Sequence, residues 1–363
     1  MKKRKVLFLG ETYRADAITW MKGLEDFGGF EIITWELKNP SNSRWNRFKR
    51  LLEYLTALIQ INKIIRSEQP DMVIAERTTS YGFLAALSPV KIKAIAQQGR
   101  TDLWPENSIL FPLKKIIQKY AFNKATLIHA WGPIMAKHMK NVNVNMSKVL
   151  VLPKGIDLSQ FKNENTADTG KICAVVTRSL FPVYSHDTIL KAFGILHQRE
   201  IDFSLTIIGD GNQLDTLQKL SEALQIQHKV VFTGRIKNTD LPELLQKANI
   251  YIGMPKTEGV SGSLFEAMAS NCYPIVSDIE GNQSWINHRR NGQLVPINDY
   301  KTLADFILWS FENESDRNQA VKNNRKFIEE HIDYKKNMSI IASKYHELID
   351  ANSSLKLLKK LTP

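Results

Sequence analysis

The chain has 363 residues, 43% of them hydrophobic and 24% charged, with a formal net charge of +12. That length exceeds one ordinary core and predicts two domains, and the unremarkable composition excludes a disordered, collagenous or disulfide-stapled chain. The charge is lopsided: residues 1–162 hold 26 Lys/Arg against 13 Asp/Glu (+13), and the remainder 23 against 24 (−1).

A basic half suits an anionic partner such as phospholipid headgroups or a diphosphate-linked acceptor, and it equally suits plain solubility. No basic-aromatic stripe or nucleic-acid motif accompanies the charge, so nucleic acid is not expected as a partner. The two cysteines, Cys173 and Cys272, each sit in or beside an apolar run. Buried thiols in a reducing cytosol are expected there rather than a disulfide, and no metal-ligand spacing occurs. The apolar run near the start, Val6 to Leu9, is too short for a signal peptide. No run approaches the ~18 apolar residues of a membrane span. The expectation is a cytoplasmic protein, peripheral at most to the inner membrane face.

In chain order, Lys5–Leu9 with Gly10 reads as a strand ending in a glycine turn, followed by a helix over Ala15–Phe27 and a strand over Glu31–Trp35. Residues 44–66 predict a long helix with Trp45, Phe48, Leu52, Leu55 and Ile59 at helical spacing. Strands follow at Met72–Ala75, Ile92–Ile95, Leu127–Ile128 and Val149–Leu152, with helices at Tyr81–Leu87, Ile109–Tyr120 and Gly132–Met139 between them. The polar stretch Pro153–Gly170 is the linker candidate. Alternation then restarts with strands at Ile172–Val176, Phe203–Ile208, Val230–Thr233 and Ile250–Ile252 and helices at Thr188–Leu196, Gln213–Leu224 and Leu241–Gln246. Such alternation predicts an α/β chain of two doubly wound parallel-sheet domains, with a cleft between the carboxyl ends of their strands. The domains are expected at 1–160 and 161–330, with C-terminal helices over 331–363 packing back on the first. The tail SLKLLKKLTP reads as an amphipathic or frayed end.

The chemistry concentrates in Tyr251–Asp278. Glu258 lies in a Gly/Ser loop, and Glu266 follows eight positions later at the start of a helical segment. Two readings of Glu266 compete. It takes both hydroxyls of a ribose, or it closes an S-x-x-E capping box with Ser263. Gly259, Val260, Ser261, Gly262 and Ser263 present backbone N–H groups at a helix start, which favours a diphosphate. Arg178, just after a strand, either neutralises a departing diphosphate or is a surface arginine. The turns at Gly209 and at Gly234-Arg235-Ile236 end strands where a base and ribose would lie.

In this order the features resemble the retaining glycosyltransferases of family 4, which have the GT-B fold of two Rossmann-like domains. The likeness is strongest over residues 172–297: R-S-L-F-P is similar to the family's R-L-x-P segment, IIGDG to its I-x-G-x-G turn and VVFTGRI to its base-side turn. EGVSGSLFEAMA matches the E-x7-E signature with Glu258 and Glu266 in its two positions. IEGNQSWI, NGQLV and the bridge LPKGIDLSQF continue the pattern. The N-terminal likeness is confined to the Gly10 turn, Gly99-Arg100-Thr101-Asp102 and ATLIHAWG.

The resemblance implies that Glu258 holds the donor sugar's hydroxyls, Glu266 the ribose, and Arg178 the leaving diphosphate. Backbone groups of Gly259–Ser261 would bind sugar and phosphate, and those near Arg235 and Ile236 the base. Gly10 would bring the other domain's backbone to the diphosphate. Two departures stand out: Tyr184 occupies the place of the family's lysine, and Gly10-Glu11 that of its Gly-Gly. On the acceptor side the polar candidate is Asp102, which also reads as a helix N-cap. No Asp-x-Asp occurs, so neither a metal nor a cofactor beyond the sugar nucleotide is expected.

The expected function is transfer of a sugar from a UDP- or GDP-sugar to a glycan or lipid-linked acceptor, in cell-surface polysaccharide or lipopolysaccharide synthesis. An epimerase or phosphorylase on the same fold, or a degenerate donor-binding protein, is the alternative. The cluster Arg44, Arg47, Lys49 and Arg50 beside Trp45 and Phe48 is either an anionic-membrane contact or the solvated edge of a packed helix. Replacing Glu258 or Arg178 by alanine is expected to abolish transfer with little change in melting temperature.

Overall fold

The computed structural model describes residues 3–38, 44–103, 108–164, 167 and 170–361. Its first elements are β1 (Lys5–Leu9), α1 (Ala15–Gly28), β2 (Glu31–Trp35), α2 (Arg44–Glu68), β3 (Met72–Glu76), α3 (Tyr81–Leu87), β4 (Lys93–Gln97), α4 (Phe111–Lys124), β5 (Leu127–Ala130), α5 (Pro133–Asn141) and β6 (Val149–Val151). Then come β7 (Ile172–Thr177), α6 (His186–Gln198), β8 (Phe203–Ile208), α7 (Leu214–Ala223), β9 (Val230–Gly234), α8 (Leu241–Gln246), β10 (Ile250–Gly253), α9 (Gly262–Ala269), β11 (Tyr273–Ser277), α10 (Glu280–Gln283) and β12 (Gln293–Val295). Three helices close the chain: α11 (Tyr300–Glu312), α12 (Glu314–His331) and α13 (Tyr334–Leu361).

The chain forms two compact units, one of Met1–Lys154 with Tyr334–Pro363, the other of Gly155–Asp333. Each is built on a six-stranded parallel sheet with helices on its faces, so the chain is α/β with two Rossmann-like units. Burial on both faces explains why the strands read as continuous apolar runs rather than alternating ones.

The first unit has strand order β2-β1-β3-β4-β5-β6. The direction of travel reverses between β1 and β3, so the carboxyl ends of these two strands flank its switch point. One layer of its core packs Ala57 and Ile61 of α2 with Tyr81 and Leu84 of α3 on Leu7, Leu9, Val73 and Ala75. Helix α13 returns to this unit against α1: the Tyr334 hydroxyl donates to the Thr19 carbonyl at 2.7 Å, and His346 stacks on Phe30. Tyr345 shares a 2.7 Å hydrogen bond with His129 Nε2 of β5. Burial of that imidazole pushes its pKa down to about 3, so it stays neutral.

The second unit has order β12-β11-β10-β7-β8-β9, which read from β9 is the dinucleotide-type 3-2-1-4-5-6 arrangement. Its switch point lies between β7 and β10. Ile156 and Phe161, inside the stretch read as a linker, are buried core residues here, and the Ile156 N–H donates to the Ile332 carbonyl at 2.9 Å. Cys173 and Cys272 are buried and form no disulfide.

Two surface expectations change. The apolar row of α2, from Trp45 to Ile59, faces solvent instead of the core. Arg50 is not part of a free basic patch, because its guanidinium reaches Glu11 at 3.2 Å. The side chains of Arg44 and Arg47, and those of the tail from residue 355, lie outside the described residues.

Candidate active site

Chain direction alone brings the main candidates together. Arg178 follows β7 and Glu258 follows β10, and these neighbouring strands straddle the switch point of the second unit. Arg178 Nη2 donates to Glu258 Oε2 at 2.8 Å and to the hydroxyl of Ser261. Its guanidinium also lies over the Tyr184 ring, 5.5 Å from the centroid. Both members of the ion pair are only 13% exposed at the side chain, so this is no surface arginine.

Helix α9 starts two residues earlier than an S-x-x-E box capped by Ser263 requires. Ser261 is the N-cap, its hydroxyl accepting from the Leu264 N–H at 3.1 Å. Ser263 instead donates to the Thr177 carbonyl at 3.2 Å. Glu266 therefore lies beyond the capping position, and the capping-box reading of it fails. With Leu264 and Phe265 bonded back to Ser261, the N–H groups of Gly262 and Ser263 have no intrahelical acceptor, as at any helix start.

Glycines hold this rim at close quarters. Gly209 has φ +150°, and a Cβ there would strike the Arg178 carbonyl oxygen. A Cβ at Gly211 would strike that of Leu180, whose N–H donates to the Asp210 carbonyl at 2.9 Å. Gly281 does the same for Glu258: its missing side chain makes room for the Glu258 carbonyl. The Gly209 N–H donates to the Gly234 carbonyl at 3.0 Å, which ties the turn leading to Arg235 and Ile236 to the Arg178 loop. Arg235 itself is exposed, and Ile236 and Val260 pack their side chains against the unit's core.

The electrostatics are short of positive charge. Burial pushes the carboxyls of Glu258 and Glu266 above the ordinary carboxylate value, and Arg178 pulls both back. Burial also opposes charge on Arg178, but Tyr251, Glu258, Tyr184 and Glu266 outweigh it and hold the guanidinium firmly protonated. His186, buried at the start of α6, is pushed down to about 4 by desolvation and adds no charge. One guanidinium thus faces two carboxylates. Tyr251, buried and interacting electrostatically with Arg178, and Gly281 beside Glu258 are contributors that spacing alone did not single out; the signal available was IEGNQSWI, which carries Gly281.

Gly10 and Asp102 belong to the first unit. A Cβ at Gly10 would lie 2.5 Å from Phe8 and 2.8 Å from the Glu76 carboxylate, so packing within that unit requires glycine. Asp102 has φ +56° and accepts from the N–H groups of Thr78, Gln98 and Gly99 at 2.8–3.1 Å. It is not a helix N-cap: Leu103 after it is not helical, and the next helix among the described residues starts at Phe111. Desolvation still raises its carboxyl.

Sequence reasoning met Glu11 only as a departure from the family's Gly-Gly and gave it no role. It is 6% exposed, with Arg77 at 2.7 Å, Arg50 at 3.2 Å and Arg14 at 3.6 Å. Its N–H donates to Glu76, whose carboxyl desolvation and Asp16 push up to about 7. Lys154 donates to the Asp16 carbonyl at 2.8 Å and lies over Trp131. Glu11 follows β1 and Glu76 ends β3, at the switch point of the first unit. Among the described residues no group of three or more His, Cys, Asp or Glu side chains forms a metal-binding cluster.

Comparison with known proteins matches residues 158–327 to the family model "Glycosyl transferases group 1" and residues 6–131 to "Glycosyl transferase 4-like". The chain belongs to the group 1, family 4 glycosyltransferases. This glycosyltransferase is 23% identical over 255 residues to an uncharacterized glycosyltransferase of Methanocaldococcus jannaschii, covering 68% of this chain and 64% of that one. It is 27% identical over 186 residues to a GDP-mannose-dependent phosphatidylinositol monomannoside mannosyltransferase of Mycobacterium tuberculosis, covering 47% and 48%. The chain thus spans about half to two thirds of these relatives' lengths. Its GT-B fold is similar to that of an Anabaena protein crystallised with UDP: TM-score 0.77, 16% identity, covering 94% of this chain and 100% of that one. Arg178, Tyr184, Gly209, Arg235, Ile236, Glu258 to Gly262 and Glu266 all fall in the group 1 match, and Gly10 and Asp102 in the other.

Proposed function

We propose that this glycosyltransferase moves a sugar, with retention of anomeric configuration, from a UDP- or GDP-sugar to a glycan or lipid-linked acceptor of the cell surface. The observation that carries the donor side is Arg178, buried and protonated between Glu258 and Glu266 at the switch point, beside the start of α9. Glu258 holds the sugar's hydroxyls and Glu266 the ribose. As the sugar C1–phosphate oxygen bond breaks, Arg178 and the N–H groups of α9 stabilise charge on the diphosphate. The acceptor hydroxyl attacks C1 on the same face, and its proton passes to the departing phosphate oxygen. Positive charge from Arg178 and the helix start takes the place a metal would have, so turnover is expected to persist in chelator.

The relatives support this reading in kind: the mycobacterial enzyme is GDP-mannose-dependent, and the Anabaena protein was crystallised with UDP. The excess of +13 over residues 1–162 supports action on the cytoplasmic side of a membrane carrying anionic lipid.

Thermal shift across nucleotide sugars tests the donor, since a ligand at ~100 times its Kd stabilises by about 2.7 kcal/mol. Transfer of labelled sugar into extracted lipid and oligosaccharide acceptors tests the reaction, with loss expected for Arg178→Ala and Glu258→Ala. Turnover surviving both would overturn it. Donor conversion without acceptor would point to an epimerase or phosphorylase, and binding without conversion to a degenerate protein.

A further inference from the structure

Helix α2 carries two apolar faces. One packs Ala57 and Ile61 into the first unit, with Tyr54, Leu58, Ile64 and Ile65 half-buried around them. The other holds Trp45, Phe48, Leu52, Leu55 and Ile59, spaced three and four apart on one stripe and 49–73% exposed. Trp45 and Phe48 stack with centroids 5.9 Å apart, and the Lys49 ammonium lies 5.6 Å from the Trp45 ring. This unit has a second row of the same kind. Ile109 is 95% exposed just before α4, and Leu110, Leu113 and Ile116 are more than half exposed. The strand order makes the steps β2 to β3, β3 to β4 and β4 to β5 run one way across the sheet. Right-handed crossovers then place α2, α3 and α4 on the same face, where α3 touches both neighbours. Contiguous exposed apolar rows of this kind mark interaction surfaces.

The charges around these rows choose the partner. Lys49 and Lys63 lie on α2, and Lys114, Lys115 and Lys119 on α4, with Lys115 and Lys119 lining a groove with Asn141, the last residue of α5, and Asn143 just after it. A second copy docked through the same face would set Lys49, Lys63, Lys114, Lys115 and Lys119 against the same basic surface. An anionic bilayer offers the opposite charge, an apolar interior for Leu and Ile, and a headgroup layer where Trp is preferred.

We propose that the α2–α4 face of the first unit docks on an anionic lipid surface, with Trp45, Phe48, Leu52, Leu55 and Ile59 entering the acyl boundary. This rests on the membrane location given under the proposed function but not on the transfer chemistry, and it differs from attraction by charge alone in predicting insertion.

The test is co-sedimentation with phosphatidylcholine vesicles, with and without phosphatidylglycerol, at low salt and at about 1 M salt, where screening leaves a range of only ~3 Å. The wild type is expected to pellet with the anionic vesicles and to stay largely bound in high salt. Leu55→Glu with Ile59→Glu, changes on solvent-facing positions, should weaken binding about tenfold or more, with melting temperature and nucleotide-sugar thermal shift unchanged. Lys115→Glu with Lys119→Glu should weaken it at low salt only. Equal pelleting of wild type and the α2 variant, or complete release in high salt, overturns the proposal. A dimer in sedimentation velocity that the α2 variant dissolves, without vesicle binding, overturns it in favour of self-association. Transfer to a soluble acceptor, measured in parallel, reports on the chemistry separately.

Discussion

Arg178 and Glu258 stand 80 positions apart in the chain and 2.8 Å apart in space, with Ser261 on the same guanidinium nitrogen. This pair changes what removal of the arginine should do. Arg178→Ala leaves Glu258 and Glu266 desolvated without the cation that pulls both pKa values back. Breaking such a buried pair costs about 3 kcal/mol or more, so the melting temperature should fall along with transfer, contrary to the expectation from sequence. Arg178→Lys should recover stability better than turnover, because a single ammonium cannot meet Glu258, Ser261 and a phosphate together. Unfolding curves and steady-state rates on both variants check this, and an unshifted transition for Arg178→Ala would refute the buried-pair account.

Glu266→Gln separates ligand binding from helix capping. Since Ser261 caps α9, the change should leave stability equal or slightly higher, because it removes a carboxylate that burial disfavours. Nucleotide-sugar binding should weaken by about 1.5–3 kcal/mol, the worth of a charged hydrogen bond. Isothermal titration beside thermal melts decides it. Lower stability with unchanged affinity would restore the capping role.

At Gly209 the argument is steric. Alanine there places a Cβ against the Arg178 carbonyl and must hold φ near +150°. Gly209→Ala should cost about 2–4 kcal/mol and most of the turnover. An alanine variant with wild-type melting and rate would show that the Arg178 loop tolerates displacement.

Tyr184→Lys should act in opposite directions on the empty and the loaded site. Without ligand it loses the ring under Arg178 and adds a like charge, destabilising by roughly 1 kcal/mol. With a diphosphate bound, the new cation offsets the excess of carboxylates. UDP affinity should therefore rise as the ligand-free melting temperature drops. Equal affinity for the two proteins would remove the charge-shortage argument.

Glu76 sets a pH dependence in the first unit. Folded, its carboxyl is pushed up to about 7; unfolded, it returns to the ordinary range. The folded state therefore binds the extra proton between those values. The group's stabilisation is complete below the unfolded pKa and is lost as pH rises through about 7. Between about pH 5 and pH 8, Glu76→Gln should flatten the decline in urea midpoint expected of the wild type. Parallel curves would assign the decline elsewhere.

Local sequence was enough to determine the element types, the parallel sheets and the loop that carries Glu258 and Glu266. Runs of β-branched and other apolar residues make strands buried on both faces, and glycine turns followed by amphipathic periods make the crossovers. The order of motifs was enough to name the family. Tertiary structure alone decided three things. It moved the cap of α9 from Ser263 to Ser261, because the Ser263 hydroxyl found the Thr177 carbonyl of a neighbouring strand. It gathered Arg14, Arg50 and Arg77 around Glu11, a contact among residues up to 66 positions apart that no local pattern encodes. It also turned the Trp45–Ile59 stripe outward. Helical spacing shows that a face is apolar, but the sheet beneath can cover only one face of a helix, and here it took Ala57 and Ile61.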